Sequence, residues 1–97
     1  MSRLRHEPAH RTRDDTDALL RAILCEVLGL PAAQVAAFVD DTDLFGALPE
    51  LDSMAVAGLL TELEDRLAIV IDDDEVDGEL LETFGNLLAF AKSKRHT

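Results

Sequence analysis

The feature that most constrains this chain is the recurrence of apolar residues at every third or fourth position in three separate segments. On a helix this spacing places the apolar side chains along one face, which has to be buried. We therefore predict amphipathic helices that pack against one another. The apolar positions are Leu20, Ile23, Leu24, Val27 and Leu28 in the first segment, Val56, Leu59, Leu60, Leu63 and Leu67 in the central one, and Phe84, Leu87, Leu88 and Phe90 or Ala91 in the last.

The composition agrees with packed helices. The 97 residues suffice for one small domain, and 47% of them are apolar. Trp and Tyr are absent and only four Phe are present, so the core must consist mainly of Leu, Val, Ile and Ala. The β-branched run 69–71 resembles a strand, but no second candidate strand exists to pair with it. We interpret this run as an extended apolar segment that packs against the helices.

Start and stop signals set the expected helix bounds. The acids at 14–17 suit a helix start, and Gly29-Leu30-Pro31 is a stop signal. A long loop follows, with a helical turn expected over 32–38. Leu44, Phe45 and Leu48 of this loop are expected to reach the core. The prediction is an all-α fold: a small four-helix bundle, three longer helices plus one short helix, with a long loop between helices one and two. The expected helices are 14–29, 53–67, a short one from Asp74 or Asp77 to Leu81, and one that Thr83 caps.

The two ends of the chain differ from its body. Residues 1–13 are rich in Arg and His and lack periodicity, so we expect a disordered basic tail there, followed by the helical domain over 14–94 and a C-terminal tail over 95–97. No apolar run approaches the roughly 20 residues of a membrane span. Cys25, the single cysteine, is expected at the edge of the core. A monomer in the reducing cytoplasm is the expected state.

Negative charge is concentrated in the body of the chain. The net charge is −11, and residues 14–91 hold 19 acids against only Arg21 and Arg66. Such a field repels nucleic acid and anionic membranes, and it attracts basic patches on proteins. Charge alone is explained as well by solubility, so the partner interpretation depends on the motif described below.

The sequence excludes two kinds of functional site, because each lacks a required residue. A calcium loop of the EF-hand type that starts at Asp73 would need Glu at position 12, where Phe84 stands. A loop that starts at Asp41 has Phe45 at its fifth position. A serine hydrolase would need a base beside Ser53, but all three histidines lie in the expected tails. We predict neither a metal site nor a catalytic residue.

The stretch before the central helix carries the most specific signal. Ser53 or Asp52 suits an N-cap, and capping alone is the simplest explanation of a serine at this position. The surrounding run, Leu-Phe-Gly-Ala-Leu-Pro-Glu-Leu-Asp-Ser-Met at 44–54, resembles the modification site of acyl carrier proteins. The helix order, the loop lengths and the acidity over about 14–94 are also similar to that family.

The resemblance implies a function for the serine. Ser53 would carry a covalent 4′-phosphopantetheine arm, derived from coenzyme A and attached by a phosphopantetheinyl transferase that recognises Asp52. The arm would hold acyl groups as thioesters, and Met54 would be an apolar contact for partner enzymes that load or accept them. The protein itself would be a carrier and not an enzyme. The acids expected to face basic patches of these partners are Glu62, Glu64, Asp65, Asp72, Asp73, Asp74 and Glu75.

Two departures from the family pattern suggest a specialised carrier. Gly58 stands where many members have an acid, and Met54 replaces the usual Leu. The phrases Ala-Leu-Pro-Glu-Leu-Asp-Ser-Met-Ala-Val and Ile-Asp-Asp-Asp-Glu resemble acyl carrier proteins that accompany exosortase and exopolysaccharide genes, which implies a partner set different from that of fatty acid biosynthesis. Two alternatives remain open: a peptidyl or aminoacyl carrier, and an acidic helical interaction module that leaves Ser53 unmodified.

Overall fold

A computed structural model describes residues 8–95 of the chain, and the side chains of residues 15–95. Within that range the fold is all-α and contains no strand, which confirms the expected class. Three longer helices and one short helix are present, but the short helix is not the one that we expected. The elements are α1 (Pro8–Leu28), α2 (Ala32–Ala36), α3 (Ser53–Leu67), a 3-10 helix (Asp73–Glu75) and α4 (Phe84–Arg95).

The core lies where the apolar stripes meet. Helix α1 contacts α2, α3 and α4, and α3 also contacts α4. The predicted stripes supply the centre of this core, while Val27, Val56 and Leu60 at their edges are half-buried. Phe84 is buried against Phe38 of the long loop, with ring centroids 5.8 Å apart. The fully buried stripe residues are Leu20, Ile23, Leu24, Leu59, Leu63, Leu87 and Ala91.

Helix α1 begins earlier than we predicted. It starts at Pro8 and not at Asp14, so residues 8–13 of the expected tail are helical. Proline is favoured in the first turn of a helix, where its missing N–H is not needed, so Pro8 is compatible with this earlier start. Thr16, expected near the helix start, is instead buried and accepts a hydrogen bond from Arg95 Nη1 at 3.0 Å. The expectation for residues 1–7 lies outside the described range.

Our prediction of a short helix that starts at Asp74 or Asp77 and ends at Leu81 is wrong. The chain makes only one 3-10 turn at Asp73–Glu75 and then a series of turns. Asp77 is the cause, because its Oδ1 accepts hydrogen bonds from the backbone N–H of Glu79 (3.1 Å) and of Leu80 (3.0 Å). A side chain that binds these donors competes with helix formation. The short helix of the fold is α2, within the expected 32–38 turn.

The segment after α3 packs only in part as we expected. Ala68 ends α3 in the left-handed conformation with φ of 57°, and Ile69 is buried. Ile71 is half-buried, and its N–H donates to Glu64 Oε2 at 2.8 Å. Val70 between them is 70% exposed, so our expectation that the whole run packs against the bundle is wrong at this residue. An extended chain directs alternate side chains to opposite sides, which exposes the middle one.

Arg21 holds the start of the long loop against the core. Its guanidinium donates to the backbone oxygens of Val35 (2.7 Å) and Phe38 (3.1 Å), at the C-terminal end of α2. The same group lies 4.5 Å above the centre of the Phe84 ring and pairs with Asp17 on α1. One side chain of α1 therefore connects α2, the loop and α4.

Backbone hydrogen bonds fix the rest of the loop along α4. Loop residues 40–45 run beside residues 81–85, and the N–H of Phe84 donates to Thr42 O at 2.8 Å. The N–H of Gly85 donates to Asp40 O at 3.0 Å. A Cβ atom at position 85 would lie only 2.8 Å from that oxygen, so the close approach of the two segments requires glycine.

We predict that Gly85→Ala destabilises the fold by about 1–3 kcal/mol, because the added methyl group displaces the backbone of Asp40. Gly58→Ala is the matched control: a Cβ there would meet only Val27 Cγ1 at 4.0 Å, and alanine is favoured over glycine inside a helix by about 1 kcal/mol. Urea unfolding of the two variants should give changes of opposite sign. Equal stabilisation of both would contradict the close packing of the loop on α4.

We also predict that Arg21→Met lowers the free energy of unfolding by about 2 kcal/mol, because the carbonyl groups at the end of α2 lose a charged donor. Methionine retains much of the aliphatic contact. Arg66→Met is the control, since Arg66 pairs with Glu26 and Glu62 at the surface, and its loss should cost less. The test is chemical denaturation of both variants. A larger loss of unfolding free energy in Arg66→Met than in Arg21→Met would contradict the stabilising role of Arg21 at the end of α2.

Candidate functional site

Ser53 is the first residue of α3, and its neighbour Asp52 provides the cap. Asp52 has an extended backbone, and its Oδ1 accepts from the N–H of Ala55 at 2.9 Å. The first helical hydrogen bond runs from Val56 N–H to Asp52 O at 2.9 Å. Of the two residues that suited an N-cap, Asp52 takes that role. Ser53 is exposed, and its hydroxyl makes no hydrogen bond to any residue that the structure describes.

An open apolar cavity of about 340 Å³ adjoins Ser53. Helix α3, the long loop and the segment after the 3-10 helix each contribute to its lining. Asp77 is the only charged residue in the lining, and its Oδ1 is engaged by two backbone N–H groups. The cavity therefore offers a chiefly hydrocarbon surface next to an exposed hydroxyl. The lining residues are Phe45, Ser53, Val56, Val76, Asp77, Gly78 and Leu81.

Two large apolar side chains surround the serine at the surface. Met54 is 85% exposed, as its expected role as an apolar contact requires. Phe45 was expected to reach the core and does not: it is 50% exposed and lines the cavity. Gly46 follows with φ of 94°, a conformation that glycine adopts freely and that turns the chain at this position. Leu44 is buried in place of Phe45.

Four residues of the lining were not predicted as part of the site: Phe45, Val76, Gly78 and Leu81. We expected a helix up to Leu81, whereas the observed turns of residues 76–81 form one wall of the cavity. The apolar periodicity gives no indication of these turns. One signal was present: Gly78 interrupts the acidic run, and an isolated glycine often marks irregular backbone.

The acids of α3 differ in their surroundings. Glu64 is occupied within the fold, because its Oε2 accepts from Ile71 N–H at 2.8 Å. Glu62 Oε1 lies 3.4 Å from Arg66 Nε, and Arg66 also binds Glu26 on α1. Asp65 is exposed, with no ion pair or hydrogen bond to its side chain among the described residues.

The acids after α3 lie around the 3-10 helix. Asp72, Asp73 and Asp74 are exposed, whereas Glu75 is half-buried. Glu75 Oε1 accepts from Asp72 N–H at 2.9 Å and lies 3.0 Å from Lys94 Nζ. The backbone hydrogen bond from Asp72, followed by the one from Lys94, lowers the pKa of Glu75. None of the acids predicted to face partners lines the cavity beside Ser53.

Comparison with known proteins identifies the family. The phosphopantetheine attachment site family matches residues 18–91 of this chain. The chain is also similar to the holo acyl carrier protein of Nitrosomonas europaea, solved by solution NMR, with 36% identity and a TM-score of 0.75 over 86% of this chain and 98% of that one. This chain belongs to the acyl carrier protein family. No curated protein sequence matches it.

Membership establishes the cofactor and the class of activity. The cofactor is a covalently attached 4′-phosphopantetheine, and the protein is a carrier and not an enzyme. The residues around Ser53 fit such a group, because an exposed hydroxyl at a helix start can bear a phosphodiester close to free N–H groups. None of the helices in the described part of the chain is long and apolar enough to cross a membrane.

We predict that Asp52→Ala lowers the stability of the carrier by about 1 kcal/mol, because α3 loses the acceptor for Ala55 N–H. Asp52→Asn should be nearly neutral, since an amide oxygen can accept the same hydrogen bond. Thermal unfolding of both variants tests this prediction. If alanine and asparagine destabilise the carrier equally, the charge of Asp52 and not its capping hydrogen bond supports the helix start.

Proposed function

We propose that Ser53 is the attachment residue and that this carrier holds acyl groups as thioesters for delivery to partner enzymes. One observation carries the proposal. At the first position of α3, an exposed hydroxyl that makes no hydrogen bond to any described residue lies directly beside an apolar cavity. The neighbouring Asp52 satisfies the helix end, so modification of Ser53 leaves the cap intact.

The attachment reaction requires little from the carrier itself. Ser53 Oγ gives its proton to a base of the phosphopantetheinyl transferase and forms a bond to the phosphorus of coenzyme A that bears the pantetheine. The bond from that phosphorus to the adenosine bisphosphate part of coenzyme A breaks, and this part leaves. The transferase supplies the base and Mg²⁺. The N–H groups at the start of α3 then stabilise the phosphodiester, which Asp52 opposes slightly by its charge.

The cavity supports acyl cargo over aminoacyl or peptidyl cargo. When attached, the arm supplies a thiol that holds acyl groups as thioesters. Its flexible length lets an apolar chain turn back into the cavity that Phe45, Val56 and Leu81 line. Burial of a hydrocarbon chain there is favourable by roughly 25 cal/mol for each Å² removed from water. A charged amino group would meet one carboxylate, Asp77, in a lining whose other residues are uncharged.

Exposed acids and Met54 form the surface that we assign to partners. Asp65, Asp72, Asp73 and Asp74 are exposed and available to basic patches of the transferase and of acyl-loading and acyl-accepting enzymes. Glu62, Glu64 and Glu75 belong to the same surface, but each also binds a group of the carrier. Met54 supplies an exposed apolar contact next to the serine.

Gly58 supports a specialised role in lipid metabolism. It leaves the middle of the exposed α3 face without a charge, so partners would differ from those of carriers with an acid there. We assign this carrier to exopolysaccharide or specialised lipid biosynthesis, as an acyl donor distinct from that of general fatty acid synthesis. We assign it to the cytoplasm as a monomer, where coenzyme A and a reduced Cys25 thiol are expected.

The test is modification of the purified carrier by coenzyme A and a broad-specificity transferase, followed by intact-protein mass spectrometry. We expect wild type to gain the mass of one phosphopantetheine group and Ser53→Ala to gain none, because within residues 8–95 no other serine stands at a helix start beside the cavity. Ser93→Ala is the matched control, since it removes a serine from α4 and should still be modified.

Modification that persists in Ser53→Ala would refute the assignment of the residue. Absence of modification in folded wild type with several transferases would favour the unmodified acidic interaction module. If Ser53 is modified, mass spectrometry of the arm after co-expression with the host's enzymes distinguishes an acyl from an aminoacyl cargo.

A further inference from the structure

Residues 76–81 form the wall of the cavity opposite α3, and we call this segment the partition. Open space lies on both of its sides. The segment 76–81 contributes four residues to the cavity beside Ser53. On its other face lies a second open cavity of about 320 Å³ towards α4, lined in part by Glu75, Leu80 and Phe90. Asp77 lines both cavities. Open space therefore separates this part of the partition from α4.

The partition is held firmly at its C-terminal end. Leu80 and Leu81 are buried, and Leu81 O accepts from the N–H of Phe45 at 2.9 Å. Asn86 Nδ2 donates to the backbone oxygen of Glu79 at 2.8 Å. These contacts attach residues 79–81 to the long loop and to α4.

Residues 76–78 have fewer contacts. Val76 is half-buried, Gly78 is exposed, and a Cβ on Gly78 would meet nothing within 4 Å. The residue before them, Glu75, carries the side-chain link to the helices. Lys94 Nζ lies 3.0 Å from Glu75 Oε1 and 3.1 Å from Oε2.

Lys94 projects from a well-anchored helix end. Ala91, three residues before it, is fully buried. Arg95, the next residue, donates to the buried Thr16 hydroxyl of α1 at 3.0 Å. The Lys94 side chain is 23% exposed and that of Glu75 is 32% exposed, so the pair lies near the surface, where solvent and salt reach it.

We propose that Lys94 is a positioning residue of the cargo cavity: its ion pair with Glu75 holds the partition closed over an acyl chain beside Ser53. The inference rests on the proposed attachment at Ser53. When the pair breaks, residues 76–78 lose their side-chain link to α4 and move outward into solvent, and water reaches the chain. A near-surface ion pair shifts such an equilibrium by on the order of two- to five-fold, which is enough to regulate exposure without unfolding the bundle.

Hydrogen exchange of the unmodified carrier tests the closed partition directly. We expect the amides of 76–78 to exchange about two- to five-fold faster in Lys94→Gln and in Glu75→Gln, because the open state is more populated. Lys92→Gln and Glu82→Gln are the matched controls, since they change the net charge equally at exposed residues outside the partner surface. Exchange in α3 should be unchanged in all four variants.

A labelled acyl chain tests the effect on cargo. The transferase loads an acyl chain that ends in a fluorophore, and acrylamide, a neutral quencher, reports the access of small molecules to the chain. We expect two- to five-fold stronger quenching in Lys94→Gln and Glu75→Gln, wild-type quenching in both controls, and recovery in the exchanged pair Lys94→Glu with Glu75→Lys. Added salt should raise quenching in wild type but not in Lys94→Gln.

Wild-type exchange and quenching in Lys94→Gln would overturn the inference and leave attachment at Ser53 intact. Failure to load any label would instead count against the proposed function, and the exchange experiment would still decide whether Lys94 holds the partition. Equal effects of Lys92→Gln and Lys94→Gln would assign the change to net charge and would also overturn the inference.

Discussion

The contact between the Arg21 guanidinium and the C-terminal end of α2 determines how the site is presented. A helix end leaves backbone oxygens without helical partners. The Arg21 guanidinium donates to those of Val35 and Ala36 in α2 and to Phe38 O beyond the helix, while it lies on the ring of Phe84. The long loop thereby leaves α1 in a fixed direction. Because the loop then runs along residues 81–85, its far end reaches Ser53 in one orientation.

The two residues at the start of α3 divide the work between them. The hydroxyl of a serine that caps a helix accepts a hydrogen bond from a backbone N–H, and this bond would compete with the proposed modification. Here the carboxylate of Asp52 satisfies the donor, and the serine is left exposed at the next position. Under the proposed attachment at Ser53, a group is added to the chain at this position while the capping hydrogen bond of the helix stays intact.

Sequence reasoning was accurate where apolar periodicity and N-caps decide the structure. Periodicity gave α3 its bounds, and Asp52 and Thr83 cap α3 and α4 through hydrogen bonds three residues along the chain. It failed where distant contacts or competing local bonds decide. Asp77 replaces a helix by turns, and Phe45 is exposed because Leu44 occupies the core next to it. The cavity depends on both, so its lining was not predictable from periodicity.

The absence of a side chain at Gly85 ties two regions that lie far apart in the chain. The loop that leads to the serine fits against α4 only because the backbone of Asp40 can approach so closely. A chimera that exchanges this loop between related carriers must therefore also exchange the first turn of α4. The unit that evolution or an engineer can move between carriers is the loop together with its distant glycine.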